Sequence, residues 1–458
     1  MNLVYGVKDK PKFGQLIVFA FQQLLAILAA TIVVPVIING NAGLSGEDAM
    51  SQSAALFGAG IGTIVYLLFT KFRSPVFLGS SFAFLGSMTA AFAGAASAQL
   101  GYVGLILGAV FAGLVYVVIA IIVKIAGVKW INKLMPAVVI GPTVSIIGLS
   151  LAGNAVGDLR TGGFLEMSEA QVTTSSYIGL ICGIVTLFTV ILCSVYGKKT
   201  VRLIPFIIGI IAGYAVASIF TVIGIKTNNP ALQIINFDVF SGLRIFEVPK
   251  FTFLTAFGSL KEISVQYIIS VLFAYVPVAF VVFAEHIADH KNLSSVIGSE
   301  LLEDPGLHRT LLGDGVGSMV GAFFGGCPNT TYGESVGCVA ITGNASVITI
   351  MCTAVMAIVI SFFGPFVTFL STIPSCVMGG VCITLYGFIA VSGLKMIQKV
   401  DLGENRNLFV VAVILICGIG GLSLTFGKVT LTEIACALIL GIIVNLIVPK
   451  DKNAPQTN

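Results

Sequence analysis

Four carboxylates lie within or at the ends of long apolar stretches: Glu285, Asp289, Asp314 and Glu334. A carboxylate inside a bilayer is costly unless it is paired, protonated or hydrated, so such residues are functional candidates by default. A glutamic acid held in a low dielectric can take up and release a proton near neutral pH, which would couple it to a proton gradient. Glu285 closes the apolar run AYVPVAFVVFAEH, and Asp289 follows one turn later on the same helix face, where we expect more water.

Other polar residues in these stretches are expected to have structural roles. Asp314, in GDGVGS, is expected to pair with a neighbouring helix or to cap one. Gln22 and Gln23 are expected to hold the first span to its neighbours, and one of them could support a carboxylate. His286 and His290 are expected to be solvated at a helix end and not to relay protons.

Two apolar segments are interrupted by Gly, Ser, Thr and Pro: 75–95 (SPVFLGSSFAFLGSMTAAFAG) and 327–344 (CPNTTYGESVGCVAITGN). Non-helical backbone at membrane depth is tolerated only where it lines a cavity or is buried in protein. A short extended piece before a half-helix would aim free N–H donors at the middle of the bilayer. The residues placed for this are Ser80, Ser81, Phe82, Tyr332, Gly333 and Glu334. The alternative is that both segments are kinks without a ligand.

Carboxylates accept hydrogen bonds from ligand N–H groups, and backbone N–H groups donate to ligand carbonyls. Phe82 and Tyr332 could pack on a flat ring. These groups together predict a small, planar, neutral ligand. The sequence has no nucleophile–base set and no phosphate loop, and its nine Cys and three His lack metal-ligand spacing. We therefore expect no enzyme activity, no catalytic residue, no metal and no cofactor.

The composition places these residues in a membrane protein. Charged residues make up 10% of the 458 residues and hydrophobic residues 57%, and the mean hydropathy is +1.05. A soluble domain carries about 25% charged residues. This excludes a soluble enzyme, a nucleic-acid-binding protein and a disordered scaffold. The polar N-terminus runs into an apolar stretch long enough to span, which predicts a retained first helix and no cleaved signal peptide.

Spans of roughly 20 apolar residues can be counted along the chain. We predict fourteen: 14–37, 53–70, 75–95, 101–125, 132–153, 176–196, 203–225, 265–288, 310–326, 327–344, 346–370, 376–394, 407–424 and 430–448. With a cytoplasmic N-terminus, 18 of the 24 Lys and Arg fall on the cytoplasmic side, as the positive-inside rule requires. Omitting one interrupted segment would reverse every later loop, so both are predicted to cross and both termini to be cytoplasmic.

The longest loop, 226–264, divides the spans into seven and seven, and the interrupted segments are the third span of each half. An odd number of spans turns the second half over, so the sequence predicts an all-α polytopic membrane protein built as an inverted repeat. Matching interrupted spans indicate the binding site in such proteins.

The stretch EDPGLHRTLLGDGVGSMVGAFFGGCPNTTYGESVGCVAITG (303–343) resembles the nucleobase–ascorbate transporter family, and within it the bacterial uracil permeases. FQQLLAILAATIVVPV (21–36), FLGSSFAF (77–84) and FAEHIADH (283–290) resemble the first, third and eighth spans of that family. The resemblance implies proton symport of a nucleobase, with uracil favoured, across a bacterial cytoplasmic membrane. It also implies a core domain (14–125 and 265–370) and a gate domain (130–225 and 376–448), with homodimers formed through the gate domains.

The resemblance also assigns roles to individual residues. It implies that Glu285 and Glu334 bind the base, with Glu285 linked to the proton, and that Phe82 and Gly333 offer backbone N–H groups. The remaining roles concern the pocket lining (Tyr332 and Ala30), proton coupling (Asp289 and Asp314) and support of the site (Gln23 and Ser81).

Three positions depart from the family pattern. The first span carries Gln22-Gln23 where the family usually has Gln-His, so the role of that imidazole must pass to Gln23 or be lost. Asp289 stands where uracil permeases have His, and Ser335 stands where the family signature has Asn.

Other functions remain open at this stage. A xanthine or other oxopurine permease of the same family would recognise the same imide edge that uracil presents. An anion transporter on the same fold is disfavoured by Glu334, since a carboxylate beside the site repels anions unless it is protonated. A membrane-embedded enzyme or sensor is disfavoured because little of the chain lies outside the predicted spans.

Overall fold

The computed structural model describes residues 3–127, 136–165, 167–198, 201–202, 204–426 and 429–448. Long apolar helices dominate this part of the chain, and eight of them are long and apolar enough to cross a membrane. The protein is therefore a largely helical, polytopic membrane protein, as the sequence predicts.

The helices differ widely in length, and two pairs of short strands accompany them. The helices are α1 (Phe13–Ala42), α2 (Gln52–Phe69), α3 (Leu85–Ala93), α4 (Ala98–Ala126), α5 (Ala137–Ser150), α6 (Ala152–Leu159), α7 (Glu169–Tyr196), α8 (Pro205–Thr227), α9 (Thr252–Ala256), α10 (Val265–Ile297), α11 (Leu307–Gly325), α12 (Gly333–Thr342), α13 (Val347–Ile360), α14 (Gly364–Ser371), α15 (Ser375–Ile397), α16 (Asn405–Ile419) and α17 (Glu433–Ile447). The strands are β1 (Leu78–Ser80), β2 (Asn329–Thr331), β3 (Leu424–Phe426) and β4 (Val429–Leu431).

Each of the fourteen predicted spans overlaps at least one of these helices. The predicted starts of the fifth span (132) and the seventh span (203), and the predicted start of the gate domain (130), lie outside the described residues. The largest packing contacts join α11 to α2 and α4, α15 to α5, and α8 to α7.

The two interrupted spans meet as an antiparallel ribbon. Strand β1 pairs with β2 in the register Leu78 with Thr331, Gly79 with Thr330, and Ser80 with Asn329. The pairing continues on both sides, because the Ser81 N–H donates to the Pro328 carbonyl at 2.9 Å and the Tyr332 N–H to the Phe77 carbonyl at 3.3 Å. Each strand thus satisfies the backbone of the other before a half-helix begins, which confirms that both spans are broken by extended segments.

The structure differs from the predicted spans near the end of the second half. The predicted span 346–370 is divided into α13 and α14, because the backbone between them pairs with the long loop that follows α8. There the Gly364 N–H donates to the Ile245 carbonyl and the Glu247 N–H to the Phe362 carbonyl, both at 2.9 Å. The hairpin of β3 and β4 before α17 was not expected either.

Glycines let α2 and α11 approach with their backbones almost in contact. A Cβ atom at Gly58 would lie 2.5 Å from the Gly321 carbonyl oxygen, and one at Gly62 would lie 2.7 Å from that of Gly317. Small residues spaced by four are a common device for close helix packing in membranes. The Asn329 side chain of β2 reaches into this interface and donates to the Gly58 carbonyl at 2.9 Å. The helix pair therefore anchors the ribbon.

Gly317→Ala is expected to lower the apparent melting temperature of the purified protein. The added Cβ would lie 2.8 Å from both the Gly62 carbonyl oxygen and a Leu78 methyl group, and such overpacking costs about 1–3 kcal/mol. Gly387→Ala in α15 is the control, because a Cβ there meets no atom within 4 Å. Equal melting temperatures for the two variants would contradict this close packing.

Candidate functional site

A cavity of about 440 Å³, here called the carboxylate cavity, lies beside the β1–β2 ribbon. Glu285 and Asp289 of α10 line one wall together with Gly333 and Glu334 of α12. The opposite wall comes from other helices and their flanking residues: Val144, Ser194, Arg202, Pro205, Phe206, Leu385, Phe388, Ile389, Ser392 and Met396. Two of the predicted ligand-binding carboxylates therefore share one cavity.

The start of α12 brings both backbone donors and a carboxylate to this cavity. Tyr332 is extended (φ −104°, ψ 121°), Gly333 is the first helical residue, and Glu334 lies in the first turn. First-turn N–H groups have no partner within their own helix, and the helix dipole favours partial negative charge there. Gly333 is exposed to the cavity, so its N–H can donate to a ligand carbonyl.

Asp289 is tied to the ribbon by a hydrogen bond. The Thr331 hydroxyl, at the end of β2, donates to an Asp289 carboxylate oxygen at 2.9 Å. Glu285, Asp289 and Glu334 interact electrostatically across the cavity. Three carboxylates facing one partly desolvated space offer many acceptor oxygens, so the cavity favours ligand N–H donors.

The aromatic residues predicted to stack on a ligand lie elsewhere. The Tyr332 ring packs against Gly79, and its buried hydroxyl donates to the Ser80 carbonyl at 2.7 Å. Phe82 lines a different cavity of about 370 Å³, the Phe82 cavity, and packs edge-on against Tyr386 with a centroid distance of 6.1 Å.

Two further predicted residues also lie off the carboxylate cavity. Ala30 is buried in α1, and Ala26, one turn earlier, lines the cavity instead. The Ser81 N–H is occupied by the ribbon.

Gln23 holds the first helix to the half-helix. Its side-chain nitrogen donates to the Ser335 hydroxyl at 2.6 Å, and the same hydroxyl accepts from the Phe77 N–H at 3.1 Å. This confirms that Gln23 joins helices, and the group that it contacts is Ser335 and not a carboxylate. Ser335 thus connects α1, α12 and the approach to β1.

The prediction that His286 and His290 are solvated was wrong, since both are fully buried. His286 lies 2.7 Å from an Asp314 oxygen and 2.9 Å from the Thr310 hydroxyl. His290 lies 2.7 Å from the Tyr66 hydroxyl, and its other ring nitrogen donates to the His286 carbonyl at 2.8 Å. Asp314 does pair with a neighbouring helix, as predicted.

A signal for these buried histidines was present in the sequence. In EHIADH the two His are four residues apart, as are Glu285 and Asp289, so α10 carries two adjacent polar faces. One face lines the cavity, and the other packs on α11 and α2.

Comparison with known proteins identifies the family. The sequence model of the Permease family (Xan_ur_permease) matches residues 14–426. The chain belongs to this family. It is 38% identical to a uracil permease of Bacillus caldolyticus over 99% of this chain and 96% of that protein. It is 37% identical to one of Bacillus subtilis (98% and 95%) and 35% identical to one of Escherichia coli K12 (96% and 93%). The resemblance seen in the sequence is thereby confirmed, and the chain is a permease.

Solved structures show the same fold. The transmembrane domain of the cyanobacterium bicarbonate transporter BicA matches 96% of this chain and 100% of its own chain, with a TM-score of 0.63 and 15% identity. The murine Solute Carrier 26 family member A9 anion transporter, in the inward-facing state, matches 96% of this chain and 69% of its own, with a TM-score of 0.64 and 11% identity. At such identities the likeness extends to the fold alone.

Ser335→Ala is expected to destabilise the permease, because it leaves the Phe77 N–H without its acceptor and leaves the Gln23 side chain only a 3.4 Å contact with the Ser335 carbonyl. An unsatisfied buried polar group costs about 1–3 kcal/mol. The measurement is the apparent melting temperature in detergent, with Ser392→Ala on the opposite cavity wall as the control. If Ser335→Ala melted no lower than Ser392→Ala, the bridge would not support the half-helix.

Proposed function

We propose that this permease takes up uracil together with protons by alternating access, across a bacterial cytoplasmic membrane. The observation that carries the proposal is the meeting of Glu285, Glu334 and the Gly333 N–H at one cavity beside the broken spans. Relatives named uracil permease, 35–38% identical over nearly the whole chain, support the choice of base.

Uracil presents an alternating edge of carbonyl, N–H and carbonyl. A carboxylate accepts from the ring N–H groups, and backbone N–H groups at helix starts donate to the carbonyls. Glu334 and Gly333 are adjacent in the first turn of α12, so one half-helix supplies both kinds of partner. Glu285 supplies a second carboxylate from α10.

The positions of two further cavities support alternating access. The carboxylate cavity adjoins a larger one of about 810 Å³ through Ala288 and Met396, and Lys291, Lys395 and Lys399 line that second space. Because Lys and Arg concentrate on the cytoplasmic side, we assign this opening to the cytoplasm, with both termini there. On this assignment the carboxylate cavity faces the cytoplasm, and we propose that the Phe82–Tyr386 contact closes the outer side in this inward-facing arrangement.

The two walls of the carboxylate cavity fit a division into moving parts. Glu285, Asp289, Gly333 and Glu334 belong to the proposed core (14–125 and 265–370), and Leu385 and Ser392 to the proposed gate (130–225 and 376–448). Movement of the core against the gate would expose the same carboxylates first to one side and then to the other. We further propose that the gate domains form a homodimer.

Glu334→Gln is expected to weaken uracil binding about ten- to hundredfold, because a hydrogen bond to a charged group contributes about 1.5–3 kcal/mol. The measurement is uptake of radiolabelled uracil into proteoliposomes as a function of concentration. Glu169→Gln, an exposed change in the first turn of α7, is the matched control and should transport like the unaltered protein. Unchanged affinity in Glu334→Gln would remove α12 from the binding site.

Glu285→Gln is expected to abolish accumulation driven by a proton gradient, since the amide cannot carry a proton between the two sides. Asp289→Asn should leave uracil binding largely intact. Both variants are compared in proteoliposomes with an acidic exterior and in binding assays without a gradient. Full gradient-driven accumulation by Glu285→Gln would show that the proton travels on another group.

The alternative substrates are separated by competition in the same vesicles. Xanthine has the same imide edge, so uracil uptake that excess xanthine does not inhibit would keep the uracil assignment, whereas xanthine uptake that excess uracil does not inhibit would favour an oxopurine permease. The solved structures of the same fold include anion transporters, yet Glu285, Asp289 and Glu334 outnumber Arg202 among the described charged residues of the cavity, so its lining disfavours a free anion. Uptake of bicarbonate or sulfate above that of protein-free vesicles, without uptake of uracil, would overturn the proposed function.

A further inference from the structure

Behind the wall of the carboxylate cavity lies a buried histidine–aspartate pair that the proposed function does not use. His286 and Asp314 are both fully buried, one on α10 and the other on α11. Neither of them is among the described residues that line the carboxylate cavity. Their contact is 2.7 Å between His286 Nδ1 and Asp314 Oδ2, so a proton must lie between these two atoms.

The hydroxyl of Thr310 fixes a proton on the other ring nitrogen. This hydroxyl donates to the Leu307 carbonyl at 3.0 Å and lies 2.9 Å from His286 Nε2. A hydroxyl has a single proton to donate. When Thr310 donates this proton to the Leu307 carbonyl, His286 Nε2 is the donor in their contact. The imidazole thus carries a proton on Nε2 and shares another with Asp314, which makes the pair electrically neutral.

The surroundings disfavour the opposite assignment, in which Thr310 donates to His286 and Asp314 is left as a net negative charge. Asp314 Oδ1 has no hydrogen-bond partner among the described residues, so the carboxyl group has the His286 contact alone. The titratable groups that face the pair are Tyr116 from α4, Tyr66 from α2, and Glu285, Asp289 and His290 from α10. None of these described neighbours is a Lys or Arg, so nothing except the His286 proton compensates a charge on Asp314.

The described hydrogen bonds of the pair also provide no path for proton transfer to another titratable group. Thr310 passes its own proton to a backbone carbonyl, and a carbonyl cannot relay it further. His290 stacks on the His286 ring at 4.0 Å but donates to the His286 backbone carbonyl, not to the ring. The described contacts therefore isolate the pair from both the cavity and the His290–Tyr66 contact.

We propose that His286 and Asp314 share one proton throughout the transport cycle and act as positioning residues for Glu285. The pair joins α10 to α11 on one face, while the bond from Thr331 to Asp289 joins α10 to the ribbon on another. The adjacent Glu285 is thereby aimed into the cavity. This inference rests on the proposed function, and it separates Asp314 from the carboxylates that deliver the transported proton.

Asp314→Asn tests this directly, because an amide can donate to Nδ1 of a neutral His286 whose Nε2 still donates to Thr310. We expect Asp314→Asn to keep uracil uptake within about twofold of the unaltered protein, with the same pH profile and the same gradient-driven accumulation. Asp314→Leu has a similar volume but no polar atoms, and it should lose at least tenfold in uptake, mainly through a raised KM.

A combined variant checks that the loss comes from an unpaired polar group. Removing both partners of a buried pair can be nearly neutral, whereas removing one is costly. His286→Phe with Asp314→Leu should therefore transport better than Asp314→Leu alone.

Three results would overturn the inference. In the first, Asp314→Asn retains uracil exchange but loses accumulation driven by the proton gradient, which would make Asp314 a carrier of the transported proton. In the second, Asp314→Asn fails to fold, which would show that an amide cannot replace the shared proton. In the third, Asp314→Leu transports normally. Failure of the proposed function is recognised separately, because the unaltered protein would then not take up uracil, while the melting temperatures of the Asn and Leu variants would still test the pair.

Discussion

Backbone groups outside a helix must find partners within the protein when they lie at membrane depth, because lipid offers none. Two spans of this permease are interrupted in their middle, and each supplies hydrogen-bond partners for the non-helical backbone of the other. The three-residue strands β1 and β2 pair in register, and the flanking residues Ser81 and Tyr332 extend the ladder. Only because the strands are satisfied can the half-helices that follow leave their first N–H groups available to a ligand.

The rest of the structure holds this ribbon in place. On one side, glycines of α2 and α11 admit the Asn329 side chain between their backbones. On another, Ser335 receives hydrogen bonds from Gln23 of α1 and from the approach to β1. Helix α10 completes the enclosure, since Asp289 accepts from β2 while His286 contacts α11. The carboxylate cavity lies between α10 and α12 on one side and the helices of the opposite wall on the other.

The sequence predicted the parts of this arrangement that depend on local composition. Hydropathy and the placement of Lys and Arg located the spans, and Gly, Ser and Pro within apolar runs located both interruptions. Glu285, Asp289, Gly333 and Glu334 do line one cavity, because α10 packs beside β2 and the start of α12.

The contacts that the sequence did not predict join residues that are far apart in the chain. Gln23 and Ser335 are separated by 312 positions, and no local pattern reveals which side chain a buried amide will contact. His286 and His290 looked like boundary residues because their partners come from α11 and α2. The Tyr332 ring packs against Gly79, where the absence of a side chain leaves room for it, and this partner comes from the other interrupted span.

We propose that the carboxylates and the half-helix donors form a site for a neutral planar base. The most direct test is a thermal-shift panel on the purified permease with uracil, thymine, xanthine, hypoxanthine, guanine and sulfate. A ligand that binds only the folded state raises the apparent melting temperature by mass action, by an amount that grows with its concentration relative to Kd. We expect a rise with uracil and none with sulfate. A rise with sulfate and none with any base would contradict it.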